Sequence, residues 1–314
     1  MSSLFLKALR CEPTPRPPIW LMRQAGRYMP QYRELRANYS FRELVGTPSL
    51  AAQITRLPID LFGFDAAILF SDILVLAEVF GYKIDFSDGK GIQLLPPSQE
   101  ERHDVEGALS YVADAIRLLK KDLLVPLIGF CGGPYTVAKY MKTLTPTGLD
   151  RITTATIAYL QMQVAAGVDA IQIFDSWAGM LEPAQFHEWA LPYLKTLVDA
   201  LRTTGIPIIL FCRGSCRYVQ ELVSLQPTAI GFDWDKELSQ LRKEVPPGIA
   251  IQGNLNPALL KGPLPLLQKE VDSLLTSMQG IPGFIFNLGH GVEPDTPLEN
   301  VHWLVNQIKS LTIK

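Results

Sequence analysis

The sequence is short of cysteine, of net charge and of long apolar runs, and each shortage closes off a class of protein. Four cysteines, Cys11, Cys131, Cys212 and Cys216, are scattered through 314 residues, far below the density of a disulfide-stapled secreted scaffold. Reduced thiols and a cytoplasmic address are the expectation. With 29 Lys and Arg against 31 Asp and Glu, the formal charge is −2, too little field to hold nucleic acid or an anionic membrane. A polyanionic ligand would have to be met by a local cluster of cations. No apolar stretch approaches the ~20 residues of a membrane span. The opening M-S-S-L-F-L-K-A-L-R lacks the apolar core and small-residue cleavage site of a signal peptide. Repeats and low-complexity linkers are missing too, so residues 1–314 are read as a single domain.

What is present is an alternation. Short β-rich apolar runs occur at Ile19 to Met22, Ala66 to Phe70, Leu127 to Phe130, Ala170 to Phe174, Pro207 to Phe211, Ala229 to Asp233, Ile249 to Gly253 and Phe284 to Asn287. Between them lie segments with helical spacing, at Pro48 to Phe62, Asp104 to Lys121, Gly148 to Ala166, Pro183 to Thr203 and Pro297 to Ser310. Strand-then-helix repetition implies a parallel sheet, and eight strands imply its closure into a (β/α)8 TIM barrel. Between Gly81 and Arg102 the composition turns to Gly, Pro, Asp and Lys, the mark of an excursion or small hairpin inserted in a βα connection.

In such a barrel the ligand site is built from the loops that follow the C-terminal strand ends. Those positions carry Arg23 and Arg27, then Ser71 and Asp72, Gly132 and Tyr135, Asp175 and Ser176, Arg213, Asp233, Asn254 and finally His290. A doubly wound sheet would gather its site at one switch point instead. The densest cluster is Arg23, Arg27, Arg33 and Arg36, opening directly after the strand I-W-L-M. Guanidinium groups are permanently charged and grip carboxylates two-pronged, so the cluster suits a ligand with several carboxylates. Gly26 lets backbone approach a ligand closely, whereas Arg33 is equally at home on a solvated helix face. His290 sits in G-H-G, where flanking glycines without an evident packing reason favour a site role.

The run W-L-M-R-Q-A-G-R-Y-M-P-Q-Y-R resembles the N-terminal signature of the uroporphyrinogen decarboxylase family. The likeness continues through F-S-D-I-L at Phe70 to Leu74, G-G-P-Y-T followed by Tyr140, F-D-S-W-A-G at Phe174 to Gly179, G-N-L-N-P at Gly253 to Pro257 and N-L-G-H-G at Asn287 to Gly291. The resemblance implies a cofactor-independent, metal-free carboxy-lyase that turns the four acetate side chains of uroporphyrinogen III into methyls, giving coproporphyrinogen III and CO2 in haem biosynthesis. It implies substrate binding by Arg23, Arg27, Arg36, Asp72, Tyr140, Ser176 and His290, with Asp72, Arg23, Tyr140 and His290 in catalysis. It also implies a homodimer. Arg23, His290 and water all stay open as proton donor.

Three rivals frame that expectation. A zinc-dependent methyltransferase on a related barrel would use Cys212 and Cys216 as thiolates, but no histidine is near them in sequence to complete a site. A phosphate-binding barrel isomerase would use the G-N-L and G-H-G turns, and leaves the arginines without a task. A tetrapyrrole-binding protein without catalysis has no need of Asp72, Tyr140 and His290 together. The sequence departs from the family pattern at Asn256, where G-N-L-D-P is usual, at a shortened stretch around Asp235 and Lys236, and at Cys212-Arg213-Gly214, which stands for a lysine-glycine turn.

Overall fold

In the computed structural model, which describes residues 3–85, 93–97, 101 and 104–311, the apolar runs form parallel strands wound into a curl. The strands in chain order are β1 (Ala67–Ile68), β2 (Lys83–Asp85), β3 (Gln93–Leu95), β4 (Leu127–Gly132), β5 (Ala170–Phe174), β6 (Ile208–Phe211), β7 (Ala229–Gly231), β8 (Ala250–Leu255) and β9 (Phe284–Leu288). Seven of them make one sheet in the order β1-β4-β5-β6-β7-β8-β9, every neighbouring pair parallel. Their residues are buried almost without exception, as strands covered on both faces must be.

The eighth staff of the barrel is present but barely a strand. Phe286 N donates to Pro18 O and Trp20 N to Phe286 O, while Asp65 N donates to Ile19 O, so residues 18–20 tie β9 to the start of β1 and close the ring. The sequence predicts a strand through Met22, but side chains take over the ladder there. Leu21 N donates to Gln24 Oε1 and Met22 N to Asn287 Oδ1, which turns the chain out of the sheet early. β1 stops short of its predicted end for a similar reason, since Phe70 N donates to Thr55 Oγ1 on a neighbouring helix. The inserted hairpin is there as β2 paired antiparallel with β3; residues 86–92, 98–100 and 102–103 lie outside the described part.

Helices pack around the outside. Pro48–Phe62 runs over the predicted residues, Pro146–Ala166 begins two residues earlier at a Thr145 cap, and Leu298–Lys309 lies inside the predicted span. The predicted Pro183 to Thr203 helix is two, Pro183–Trp189 and Leu191–Arg202, because Pro192 has no N–H to continue the first ladder. The predicted Asp104 to Lys121 helix likewise divides into Val105–Ala108, capped by Asp104, and Ser110–Leu119. Two apolar layers result. Trp20, Ile128, Ala170, Ile209, Ala229, Ala250 and Ile285 fill the barrel, with Phe5 and Leu9 of the helix Leu4–Leu9 in the same cluster. The larger second layer lies between sheet and helices. Among the described residues no helix is long and apolar enough to cross a membrane.

Charges at the N-terminal end of the barrel are paired and brace strand starts. Arg16 donates both Nη groups to Asp65 at 2.7 Å, and Asp65 also accepts from Ile19 N at 2.8 Å. Asp169, paired with Lys120, accepts from Leu127 N in the same way.

Candidate active site

At the C-terminal end of the strands lies a cavity of about 560 Å³, and Arg23, Arg27, Arg36, Asp72, Tyr140, Ser176 and His290 all line it. They come from five places in the chain, which the barrel brings to one rim. Its floor is apolar. Phe130 and Phe174 meet edge to face at 5.7 Å, Phe174 and Phe211 at 6.0 Å, and Phe211 and His290 at 6.4 Å. Phe174 and Phe211 end β5 and β6, Phe130 lies two residues before the end of β4, and strict two-residue alternation along each strand was the signal that would have named them.

Asp72 stands where the chain leaves β1. Its Oδ1 accepts from Leu74 N at 2.8 Å, and among the described residues no other donor hydrogen-bonds to it. Burial pushes the carboxyl up to about 6, against the opposing pull of the Leu74 N–H and the Arg23 guanidinium. At neutral pH it is a mostly ionised acid with unused acceptor capacity facing a cavity, a costly arrangement unless a ligand supplies donors. Helix capping, the other role its sequence position allows, is not made: the bond to Leu74 is an Asx-type turn, and the short helix Val75–Phe80 that follows receives no side-chain cap.

Arg23 and Arg27 are exposed at the mouth, and neither guanidinium has a carboxylate partner among the described residues. Arg23 has φ 58°, a left-handed conformation unusual for a side chain this large, and such strain gathers at functional positions. Arg36 lines the cavity and donates to Tyr39 O. Arg33 belongs to the scaffold, since it donates to Arg27 O and Tyr28 O and so holds the arginine turn in shape.

His290 departs from expectation in two respects. Both flanking glycines have packing reasons after all: a methyl at 291 would collide with Cγ and Cδ of Arg23, and one at 289 would lie 2.9 Å from the Trp234 backbone N. Burial, reinforced by Arg23 and Arg213, holds the imidazole down at about 4, with Glu293 pulling the other way. At neutral pH it is therefore an uncharged hydrogen-bonding group rather than a ready acid.

Other strand-end residues brace loops instead of meeting the cavity. Asp233 accepts from Gly214 N at 2.5 Å, and Asn254 Nδ2 donates to Asp233 O and Lys236 O, both at 2.7 Å, pinning the shortened stretch. Asn256 accepts from Ala258 N and so performs the capping that an aspartate there would perform. Tyr135 is buried away from the cavity. Cys212 and Cys216 are buried free thiols whose pKa values burial pushes up. No group of three or more His, Cys, Asp or Glu is placed to hold a metal among the described residues.

Sequence reasoning also passed over Asp175 as more than a strand-end acid. It is fully buried, and its Oδ1 accepts from Thr136 N at 2.9 Å and Thr136 Oγ1 at 2.5 Å. Burial pushes its carboxyl up to about 6 against the Thr136 hydrogen bonds.

A closed parallel α/β barrel with a cation-rimmed, acid-centred cavity at its C-terminal face has the architecture of the small-molecule enzymes built on this fold. Comparison with known proteins is specific. The family model described as uroporphyrinogen decarboxylase matches residues 1–146 and 143–311. The uroporphyrinogen decarboxylase of Protochlamydia amoebophila is 45% identical over 97% of this chain and 90% of its own length, and that of Desulfotalea psychrophila is 40% identical over the full length of both. The chain belongs to the uroporphyrinogen decarboxylase family. A solved methyltransferase from Methanosarcina mazei shares the fold with a TM-score of 0.82 at 22% identity, covering 98% of this chain and 99% of that one.

Proposed function

We propose that the chain is a cofactor-independent uroporphyrinogen decarboxylase, removing CO2 from the four acetate side chains of uroporphyrinogen III to give coproporphyrinogen III. The observation that carries this reading is the pairing of two guanidinium groups at the mouth, neither with a carboxylate partner among the described residues, with one incompletely satisfied carboxylate, Asp72, over an aromatic floor. A macrocycle with apolar faces, outward carboxylates and inward N–H groups complements each of the three. Family membership and 38–45% identity to proteins of that name support it.

Chemically, each step protonates a ring carbon, and the resulting cationic pyrrole receives the electron pair when the acetate C–C bond breaks and CO2 departs. A proton then adds to the exocyclic carbon, the ring loses its extra proton, and a methyl group remains. The net change is one proton taken up for one CO2 released. The protonated ring is the electron sink, so neither metal nor cofactor is required. Asp72 accepts from pyrrole N–H groups and stabilises the cation across a site sheltered from water. Arg23, Arg27 and Arg36 bind carboxylates; neutral His290, Tyr140 and Ser176 orient the reacting one. In this reading the chain works as one domain, in the cytoplasm, as a homodimer.

The test is anaerobic incubation of metal-free protein with uroporphyrinogen III. Stepwise loss of carboxyl groups is the expected result, and tight binding without product would turn the reading into one of a carrier.

A further inference from the structure

Tyr140 and Ser176 line the same cavity but belong to different elements. Tyr140 lies on the helix Pro134–Met141 after β4, and Ser176 lies in the loop after β5. A single buried network joins the two. Asp175, the residue before Ser176, accepts from both the N–H and the hydroxyl of Thr136 near the start of the Tyr140 helix. Thr136 Oγ1 in turn accepts from Trp177 N at 3.0 Å, the residue after Ser176. Ser176 is thus flanked by two residues that bond one threonine side chain. Thr136 and Tyr140 stand four apart, on one face of the helix.

Packing closes the loop from the other side. The Trp177 ring meets the Tyr140 ring edge to face at 6.4 Å, and Lys139 Nζ lies 4.1 Å from the Trp177 ring centre. Gly133 N donates to Phe174 O, and a side chain at 133 would collide with Asp175, so the carboxylate sits directly against the start of the helix. An anionic group there also faces the positive end of the helix dipole.

We propose that Thr136 and Asp175 are positioning residues, a buried clamp that sets Tyr140 and Ser176 in register with each other and thereby with the reacting acetate. The proposal rests on the reading that those two hydroxyls orient that acetate. Neither clamp residue lines the cavity, so its effect passes through the two that do.

Four variants test it, with kcat and KM measured on each: Thr136→Val, which keeps shape and loses the hydroxyl, Thr136→Ser, which keeps the hydroxyl, Tyr140→Phe, and Tyr140→Phe combined with Thr136→Val. Thr136→Val should lower kcat roughly ten- to a hundredfold, the size of a misplaced rather than missing group, with KM changed less than about twofold. Thr136→Ser should recover most of it. In the Tyr140→Phe background the same Thr136→Val change should cost clearly less than in the wild type, with only the share that passes through Ser176 remaining, since coupled residues are not additive. Equal losses in both backgrounds would overturn the proposal. Hydrogen exchange gives a readout without turnover: residues 134–141 and 175–180 should loosen together in Thr136→Val and Asp175→Ala and stay closed in Thr136→Ser. Loosening of one segment alone would overturn the clamp. A wild-type protein that fails to decarboxylate would defeat the assigned activity and leave the exchange result to decide the clamp.

Discussion

Asp65 precedes β1 and Asp72 follows it, so one residue type marks both ends of a single strand. At the N-terminal end Asp65 is saturated, with both oxygens on Arg16 and a third bond from Ile19 N. At the C-terminal end Asp72 holds one N–H and otherwise faces the cavity. The lower carboxylate ties the barrel's closing segment to the strand beside it. The upper one stands half-buried with no ion-pair partner among the described residues, which burdens the fold and suits a group awaiting the donors of a ligand. The same contrast separates Arg16 from Arg23.

The sharpest way to break the comparison is Asp72→Asn. It should lower kcat by about a hundredfold or more, as removal of an electrostatic stabiliser does, while thermal stability at pH 7 holds or rises. The sign follows from linkage. Because the folded pKa is raised to about 6, the native state holds its proton longer than the unfolded chain, and stability is lost as pH rises through that window. Asparagine removes this burden, a gain of up to about 3 kcal/mol. In the wild type kcat/KM should fall as pH drops through about 6, where Asp72 of the free enzyme protonates, and the acid limb should disappear in the variant. Turnover near wild type in Asp72→Asn would remove Asp72 from the centre of the site.

Asp65→Asn should do the opposite, costing about 2 kcal/mol of stability through a broken, partly buried ion pair and leaving kcat within about twofold. Chemical denaturation and steady-state rates on the two variants together would expose any mixing of the roles.

How much of this was legible in the sequence follows the same division. The barrel and most of the polar residues that line its cavity were visible because apolar runs of strand length fix where each strand ends, and topology then gathers the ends. The loss of the ladder at Leu21 and Met22 was not, because the competing acceptors, Gln24 and Asn287, declare themselves only once the chain has folded. Nor was the division of strand-end polar residues into cavity walls and loop braces, since Asp233 and Asn254 differ from Asp72 in their partners rather than in their neighbours along the chain. The lowered pKa of His290 depends first on its burial and then on Arg23 and Arg213, each far away in sequence.

Among the cations, Arg27→Gln should raise KM about tenfold, the loss of one charge-assisted hydrogen bond at an exposed mouth, and the wild-type KM should rise with salt as screening grows. An Arg16→Gln variant should show neither effect but lose stability. A salt-independent KM would mean that the mouth arginines are not meeting carboxylates.

Gly291→Ala is the finest probe, because it reaches the site only through Arg23. The added methyl meets the Arg23 stem at Cγ and Cδ, not its backbone, so the side chain has room to respond by rotating. An off-rotamer arginine costs about 0.5–1.5 kcal/mol, which should show as a KM raised roughly three- to tenfold with kcat and melting temperature little changed. Gly289→Ala presses on the Trp234 backbone, which cannot rotate away, and should therefore lower stability first. If both alanines lowered stability alike and left KM untouched, Arg23 would be packed scaffold, and the contrast between the two ends of the barrel would fail at its best-placed residue.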